Sequence, residues 1–253
     1  MDTTLLIFFI IFGLIIGSFL NVVIFRIDDL KSIINSRSHC QNCKQILKWY
    51  DLIPFVSFVL LRAKCRYCGK SISWQYPLVE LGTALIYAVL YLAFGLSLAT
   101  FFYIIVFSLL VIVFVHDLRT QMTPETFVWL ALVVSVLGGW YFGDFGFLSM
   151  IYGGLVGGGV LAFLVLISKE KWMGSGDIKI GLILGFLTGF PVAIFGIFAA
   201  FLLGSIAGLI YMKVANKTMK DTLPFAPFLI LSTFICLLFG NLVINWYLGS
   251  FIY

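Results

Sequence analysis

The sequence predicts an all-α polytopic membrane protein, with about eight transmembrane helices and a small four-cysteine domain between the first two. Three observations favour this fold class. Of the 253 residues, 62% are hydrophobic and only 11% are charged, which leaves too little polar surface for a soluble globule of this size. Several apolar runs exceed the roughly 18 residues that a membrane span requires. These runs are continuous rather than alternating, which favours helices over strands.

The apolar runs predict eight spans. The run from Thr4 to Phe25 follows Asp2 rather than a basic segment, and it is too long for a secretory signal, so we interpret it as an uncleaved span. The sixth run, Ile178–Phe190, is the shortest, because its residues at a rise of about 1.5 Å cover only about 20 Å. The other predicted spans are Pro77–Phe94, Leu98–His116, Phe127–Phe142, Phe145–Ile167, Val192–Met212 and Phe225–Leu248.

The basic residues predict the orientation. An alternating path through eight spans places all 16 Lys and Arg residues on one side, including Lys213, Lys217 and Lys220, and the positive-inside rule makes this the cytoplasmic side. Both termini are then outside. Residues 1–25 form the first helix, 26–76 a cytoplasmic domain and 77–253 a seven-helix membrane domain. The same pattern explains the net charge of +5 without a nucleic acid, and it predicts anionic membrane lipid as a partner.

Two cysteine pairs predict a metal site in the cytoplasmic domain. Cys40 and Cys43 are separated by 21 residues from Cys65 and Cys68, and two such knuckles can present four thiolates to Zn²⁺. Four thiolates leave no open coordination position, so the predicted role of the metal is structural. Two alternatives stay open here, namely four unligated thiols and a ligand role for His39. Cys236 is predicted to be a small apolar filler in the last span.

Two aspartates at the ends of spans are the candidate catalytic residues. Asp117 closes the third predicted span, and Asp177 opens the sixth after Gly174 and Gly176. The predicted topology brings both to the cytoplasmic boundary, where a carboxylate is costly unless it has a use. Two carboxylates in one site divide into a base and an acid, which can activate water against a peptide carbonyl. The glycines would let backbone or an extended substrate approach closely.

Other interpretations of these residues remain open at this point. Asp177 would also suit a helix cap, and Asp117 an ion pair with Arg119. Lys179 either holds one carboxylate ionised or extends to the lipid headgroups. An ion-coupled transporter that binds cations with both aspartates is a rival function. Their boundary position disfavours it, since such sites lie near the midplane.

Motifs along nearly the whole chain resemble those of the type IV prepilin peptidases, the membrane aspartyl proteases of bacteria. The motifs are GSFLNV at 17–22, the two cysteine pairs, WYDLIP at 49–54, ISWQYPLVE at 72–80, DL at 117–118 with Pro124, GSGDIK at 174–179, and PFAPFL at 224–229. Departures from the family pattern occur at Asp28, Gln41, Ala63 and Ala226. None of them touches the aspartates or the cysteines.

The resemblance implies a function and its residues. The family's catalytic aspartates fall on Asp117 and Asp177, with Gly174, Gly176 and Lys179 in support. Its members remove the basic leader of prepilins or pilin-like precursors at the bacterial inner membrane. Many then methylate the new N-terminus with S-adenosylmethionine, and Glu80 lies in the part of the chain linked to that activity. A peptidase without methyltransferase activity is the alternative, and no nucleic-acid partner is expected.

Overall fold

The computed structural model describes residues 2–29, 31, 33, 37–143, 145–215 and 223–249, and these are mainly helical. Lys217 and Lys220, which the orientation argument uses, lie outside the described residues. The helices are α1 (Thr3–Phe25), a short 3₁₀ helix (Trp49–Leu52), α2 (Val56–Leu60), α3 (Gln75–Phe94), α4 (Leu98–Thr120), α5 (Glu125–Phe142), α6 (Phe147–Ser168), α7 (Ser175–Thr188), α8 (Val192–Ala215) and α9 (Ala226–Gly249). Extended pairing within these ranges is limited to the isolated bridges His39–Ile46 and Lys64–Ser71. The predicted all-α class is confirmed.

Seven of the described helices are long and apolar enough to cross a membrane. They are α1, α3, α4, α5, α6, α8 and α9, and each corresponds to a span predicted from sequence. The chain is therefore a multi-pass membrane protein. The eighth predicted span corresponds to α7, which has 14 residues and reaches only about 21 Å. That α7 crosses the bilayer stays a prediction.

The ends of α4 and α7 differ from the predicted span ends in a way that concerns the two aspartates. Helix α4 continues to Thr120, four residues beyond the predicted end, so Asp117 lies inside its last turn. Helix α7 begins at Ser175 rather than Ile178, which puts Asp177 in its first turn. It ends at Thr188, because Gly189 takes a φ of +68° that a helix cannot continue.

The chain divides into two compact units, residues 1–115 and 116–253, with the boundary inside α4. In the first unit, α1 packs against α3. In the second, α7 packs against α5, α6, α8 and α9, and Ile180, Ile183 and Leu184 are fully buried. This central position explains why so short a helix is apolar on all sides. The divisions predicted at residues 26 and 77 stay predictions.

Glycines bring α6 and α7 into direct backbone contact. A Cβ on Gly157 would meet the carbonyl of Gly181, and one on Gly185 would meet the carbonyl of Gly153. Such close approach is typical of small-residue helix interfaces in membranes. Gly154 and Gly158 also face α7, where a Cβ on either would meet the side chain of Phe186 or Leu182.

Gly157→Leu is expected to destabilise the second unit. The new side chain must displace the Gly181 backbone, and overpacking of this kind costs about 1–3 kcal/mol. Thermal unfolding in detergent measures the effect. Gly159→Leu is the matched control, because a Cβ at Gly159 meets no atom within 4 Å. Equal destabilisation by both substitutions would contradict the packing described here.

Candidate active site

Asp117 and Asp177 form a buried pair in the second unit. Asp117 is 4% exposed and Asp177 is 6% exposed. The charge of Asp117 acts on Asp177, so the two carboxylates lie within range of direct electrostatic repulsion. Burial strengthens this repulsion, because the low dielectric of the surroundings screens it weakly. The structure thus brings together the two aspartates that the sequence singled out, at the adjoining ends of α4 and α7.

The turn after α4 folds back onto the end of that helix. The Gln121 N–H donates to the carbonyl of Asp117 over 2.8 Å, and the His116 ring donates from Nδ1 to the carbonyl of Met122, also over 2.8 Å. Thr120 adds a bond from its hydroxyl to the carbonyl of His116, 2.9 Å long. These bonds satisfy backbone groups at the helix end, and they direct the following residues toward the start of α7.

Thr123 explains why residue 176 is a glycine. The Thr123 hydroxyl, Cβ and Cγ2 all lie where a side chain on Gly176 would be; the Thr123 Cβ is 2.9 Å from that position. Sequence reasoning missed Thr123, since nothing in its spacing indicates a glycine partner more than fifty residues away. The contact fixes the turn after Asp117 against the residue before Asp177.

Gly174 has a different environment from Gly176. It is the N-cap residue of α7, and its carbonyl accepts the N–H of Asp177 over 3.2 Å. A Cβ on Gly174 would meet only the Gly176 nitrogen, at 4.0 Å, so space is open beside this residue. Asp177 is therefore not the capping residue. Its carboxylate in the first turn still interacts favourably with the helix dipole.

Lys179 pairs with a carboxylate that sequence reasoning did not consider. Its ammonium forms an ion pair with Glu125, at the start of α5, and lies 4.9 Å from the centroid of the Trp129 ring. The Lys179 side chain is only 18% exposed, and a largely buried charge needs such partners. The pair joins the start of α5 to the start of α7. Neither role predicted for Lys179 names this partner.

The four paired cysteines converge in the first unit. Their Sγ atoms all lie within 4.8 Å of one another, and Cys40 Sγ is 4.0 Å from Cys68 Sγ. A tetrahedral zinc site with Zn–S bonds of about 2.3 Å has sulfurs about 3.8 Å apart, so the cluster fits this metal. Among the described residues, His39 is not part of the cluster. The backbone N–H of Lys70, together with hydrogen bonds from the side chains of Asn42 and the neighbouring cysteines, lowers the pKa of the Cys68 thiol to about 6.

Asp51 ties the second cysteine knuckle to the 3₁₀ helix. It accepts hydrogen bonds from Arg66 Nε at 2.7 Å and from the Tyr67 hydroxyl at 3.0 Å. Both donors lie between Cys65 and Cys68. Burial raises the pKa of Asp51, but the hydrogen bonds from Arg66, the Lys48 backbone N–H and Tyr67 outweigh this effect, and the net shift of the pKa is downward. The interaction holds the cysteine-bearing segment against the segment that leads to Phe55.

Glu80 lies on α3 beside a large cavity of the first unit. It is 5% exposed, accepts the Phe55 N–H at 2.8 Å and also bonds to the Ser18 hydroxyl. Gly17 permits this approach, since a Cβ there would lie 2.7 Å from the Glu80 Cα. The cavity has a volume of about 870 Å³, and Glu80, Ser18, Cys40 and Cys65 are among its lining residues. The sequence did not predict this cavity.

Comparison with known proteins decides the family. Residues 104–209 match the model of the "Type IV leader peptidase family", and residues 11–94 match the "Bacterial Peptidase A24 N-terminal domain". A Bacillus subtilis (strain 168) protein called "Prepilin leader peptidase/N-methyltransferase" is 34% identical over 94% of this chain and 96% of its own length. The chain belongs to the type IV leader peptidase family. It is therefore a peptidase, and the resemblance seen in its motifs is confirmed.

Other members of the type IV leader peptidase family are similar over the same extent. A relative from Legionella pneumophila is 27% identical over 94% of this chain and 93% of its own length. One from Aeromonas salmonicida (strain A449) is 30% identical over 95% of this chain and 92% of its own length. Both carry the same name as the Bacillus relative.

No solved structure matches this chain. The aspartate pair lies in the match to the leader peptidase model, and Glu80 and the cysteines lie in the other.

Gly176→Ala is expected to lower both the unfolding temperature and the peptidase rate. The added methyl group displaces Thr123 and with it the contact beside Asp177, at a cost of about 1–3 kcal/mol. Gly174→Ala is the matched control, because its methyl group enters open space, and it should leave the unfolding temperature unchanged. If Gly174→Ala destabilised the protein as much as Gly176→Ala, the Thr123 contact would not be the cause.

Proposed function

We propose that this chain is an aspartyl endopeptidase that removes the basic leader from type IV prepilins or pilin-like precursors. Asp117 and Asp177 are the catalytic residues. The observation that carries this proposal is the buried carboxylate pair at the ends of α4 and α7, within a chain of the leader peptidase family. The enzyme acts in the bacterial inner membrane, with both termini outside and the cysteine domain in the cytoplasm.

The proposed mechanism is general acid–base hydrolysis without a covalent intermediate. One carboxylate takes a proton from water as the water oxygen attacks the scissile carbonyl. The other, protonated, carboxyl donates to the carbonyl oxygen. When the tetrahedral intermediate collapses, the carboxyl that took the water proton gives it to the leaving amine and the C–N bond breaks. The other carboxylate takes back a proton from a hydroxyl of the intermediate, so the pair again holds one proton. The two aspartates repel each other when both are charged, so they share one proton, and the acid and base roles belong to the pair.

The position of the pair suits the substrate of the named relatives. Asp117 and Asp177 lie in terminal turns of apolar helices, not in the middle of a span. A precursor in which a basic leader joins an apolar helix would present its junction at that level of the bilayer. The open space beside Gly174 leaves room for an extended substrate. A cation site for transport would instead be expected near the midplane.

Asp117→Asn and Asp177→Asn test this proposal separately. Each substitution removes a titratable group and keeps nearly the same volume, so each should slow cleavage of a model prepilin in membranes by about 100-fold or more. Glu170→Gln, an exposed acid of the same unit, is the control and should cut normally. Normal cleavage by either aspartate variant, in folded and inserted protein, would refute the aspartyl mechanism.

We also propose that the first unit methylates the new N-terminus, with S-adenosylmethionine bound in the cavity beside Glu80. The cavity volume of about 870 Å³ is within the range of small-molecule sites. The Phe55 N–H and the Ser18 hydroxyl, which bond to Glu80, are neutral donors. They leave the negative charge of the carboxylate available to a cation. When bound, the cofactor supplies an electrophilic methyl group on a cationic sulfonium. Glu80 would hold that positive charge, and the cysteine-bearing segment would cover the site.

Glu80→Gln should abolish methylation while cleavage continues. The amide oxygen still accepts the Phe55 N–H, so the fold is retained while the negative charge is lost. Mass spectrometry of the cleaved substrate measures both activities in one sample, and equilibrium dialysis with labelled S-adenosylmethionine measures binding. Unchanged methylation and binding would exclude the proposed role. Loss of both activities would indicate that Glu80 supports the fold instead.

The four cysteines are proposed to hold one structural zinc ion. The Sγ separations support this, as does the predicted location in a reducing compartment, where metal is favoured over disulfides. Cys65→Ser should therefore remove zinc from the purified protein and lower its stability, because binding free energy of a structural site is folding free energy. Cys236→Ser, buried in α9, is the control and should retain a full equivalent of zinc by metal analysis. Zinc-free wild-type protein would refute the assignment.

A further inference from the structure

An exposed apolar surface covers the segment between the two cysteine pairs. Its side chains come from the 3₁₀ helix, from Ile53 directly after that helix, and from α2. Trp49 is 77% exposed and Leu60 is 76% exposed. Outside the predicted spans, an apolar patch of this kind is costly in water and marks an interaction site. The apolar surface consists of Trp49, Leu52, Ile53, Val56, Val59 and Leu60.

Contacts within the first unit place this segment beside the membrane-spanning helices rather than away from them. The Phe55 N–H, in the middle of the segment, donates to Glu80. Glu80 is about 8 Å along α3 from its first residue, and Ser18, its other partner, is about 10 Å from the end of α1. Phe58 also packs edge-on against Trp74, with ring centroids 5.1 Å apart. The segment therefore lies alongside parts of α1 and α3 that are already apolar.

Basic residues flank the apolar surface on both sides. Lys48 precedes Trp49, while Arg62 and Lys64 follow Leu60, and all three are exposed. Tryptophan with aliphatic side chains on one side and cations at the ends is the composition of segments that lie in a membrane interface. Anionic headgroups complement the cations. We favour lipid over another protein as the partner, because residues 49–60 are held against helices that cross the bilayer.

We propose that the apolar surface of residues 49–60 inserts into the headgroup layer of the bilayer that α1 and α3 cross, with anionic phospholipid as its ligand. Leu52, Ser57 and Phe58 of the same segment line the cavity beside Glu80, so the cavity lies at the level of the headgroups. A substrate whose apolar helix remains in the bilayer could then reach it with its N-terminus. The insertion itself depends on neither enzymatic activity.

Fluorescence of Trp49 tests the insertion in the full-length protein. The protein is reconstituted in nanodiscs of phosphatidylethanolamine and phosphatidylglycerol, and the emission of Trp49 is obtained as the difference between the unmodified protein and Trp49→Phe. Lipids brominated near the headgroup should quench most of this emission, and acrylamide in the water should quench little of it. Replacing phosphatidylglycerol with phosphatidylcholine should increase the acrylamide quenching.

Two results would overturn the proposal. Strong quenching by acrylamide together with weak quenching by brominated lipid would place Trp49 in water. Protection from both quenchers would show that protein, rather than lipid, covers the surface. Leu60→Asp should expose Trp49 to acrylamide, whereas Leu96→Asp, at an exposed residue just beyond the other end of α3, should not. The measurement on the unmodified protein decides the question even if a variant fails to fold.

Discussion

Asp117 and Asp177 are both buried and act on each other electrostatically, and the loss of hydration with this repulsion costs several kcal/mol in an apolar environment. The second unit contains the contacts that hold them in place. Thr123 against Gly176 and Glu125 with Lys179 join the turn after Asp117 to the first turn of α7. On the other side, glycine contacts fix α7 against α6. A helix as short as α7 can maintain this position because it is packed on all sides.

The first unit is organised by two other carboxylates, each with a full set of hydrogen-bond donors. Asp51 binds Arg66 and Tyr67 and so connects the second cysteine knuckle to the 3₁₀ helix. Glu80 binds the Phe55 N–H and connects the next part of the same segment to α3. The hydrogen bonds of Asp51 and Glu80 together hold the cysteine-bearing segment beside the cavity. Loss of either carboxylate would remove the hydrogen bonds that make these connections.

The sequence predicted those features that depend on the length of apolar runs and on carboxylates in places where an apolar environment makes their charge unfavourable. Continuous apolar runs gave the seven long helices, and aspartates at the ends of spans identified Asp117 and Asp177. The partner of Lys179 and the contact of Thr123 were not predicted, because each depends on residues distant along the chain. The predicted starting residue of α7 was wrong, since Ser175, Gly176 and Asp177 carry no apolar signal although they are already helical. The cavity beside Glu80 forms only when the cysteine-bearing segment folds back onto α1 and α3.

The central claim is that Asp117 and Asp177 act as one acid–base pair, and the pH dependence of cleavage tests it most directly. The measurement is kcat/KM for a model prepilin with the zinc-containing protein in bilayers, over the pH range in which the fold is stable. A pair that shares one proton predicts a bell-shaped profile, because activity is lost when both carboxyls are protonated and when both are ionised. A profile with a single limb, or a rate that does not change with pH, would contradict the account.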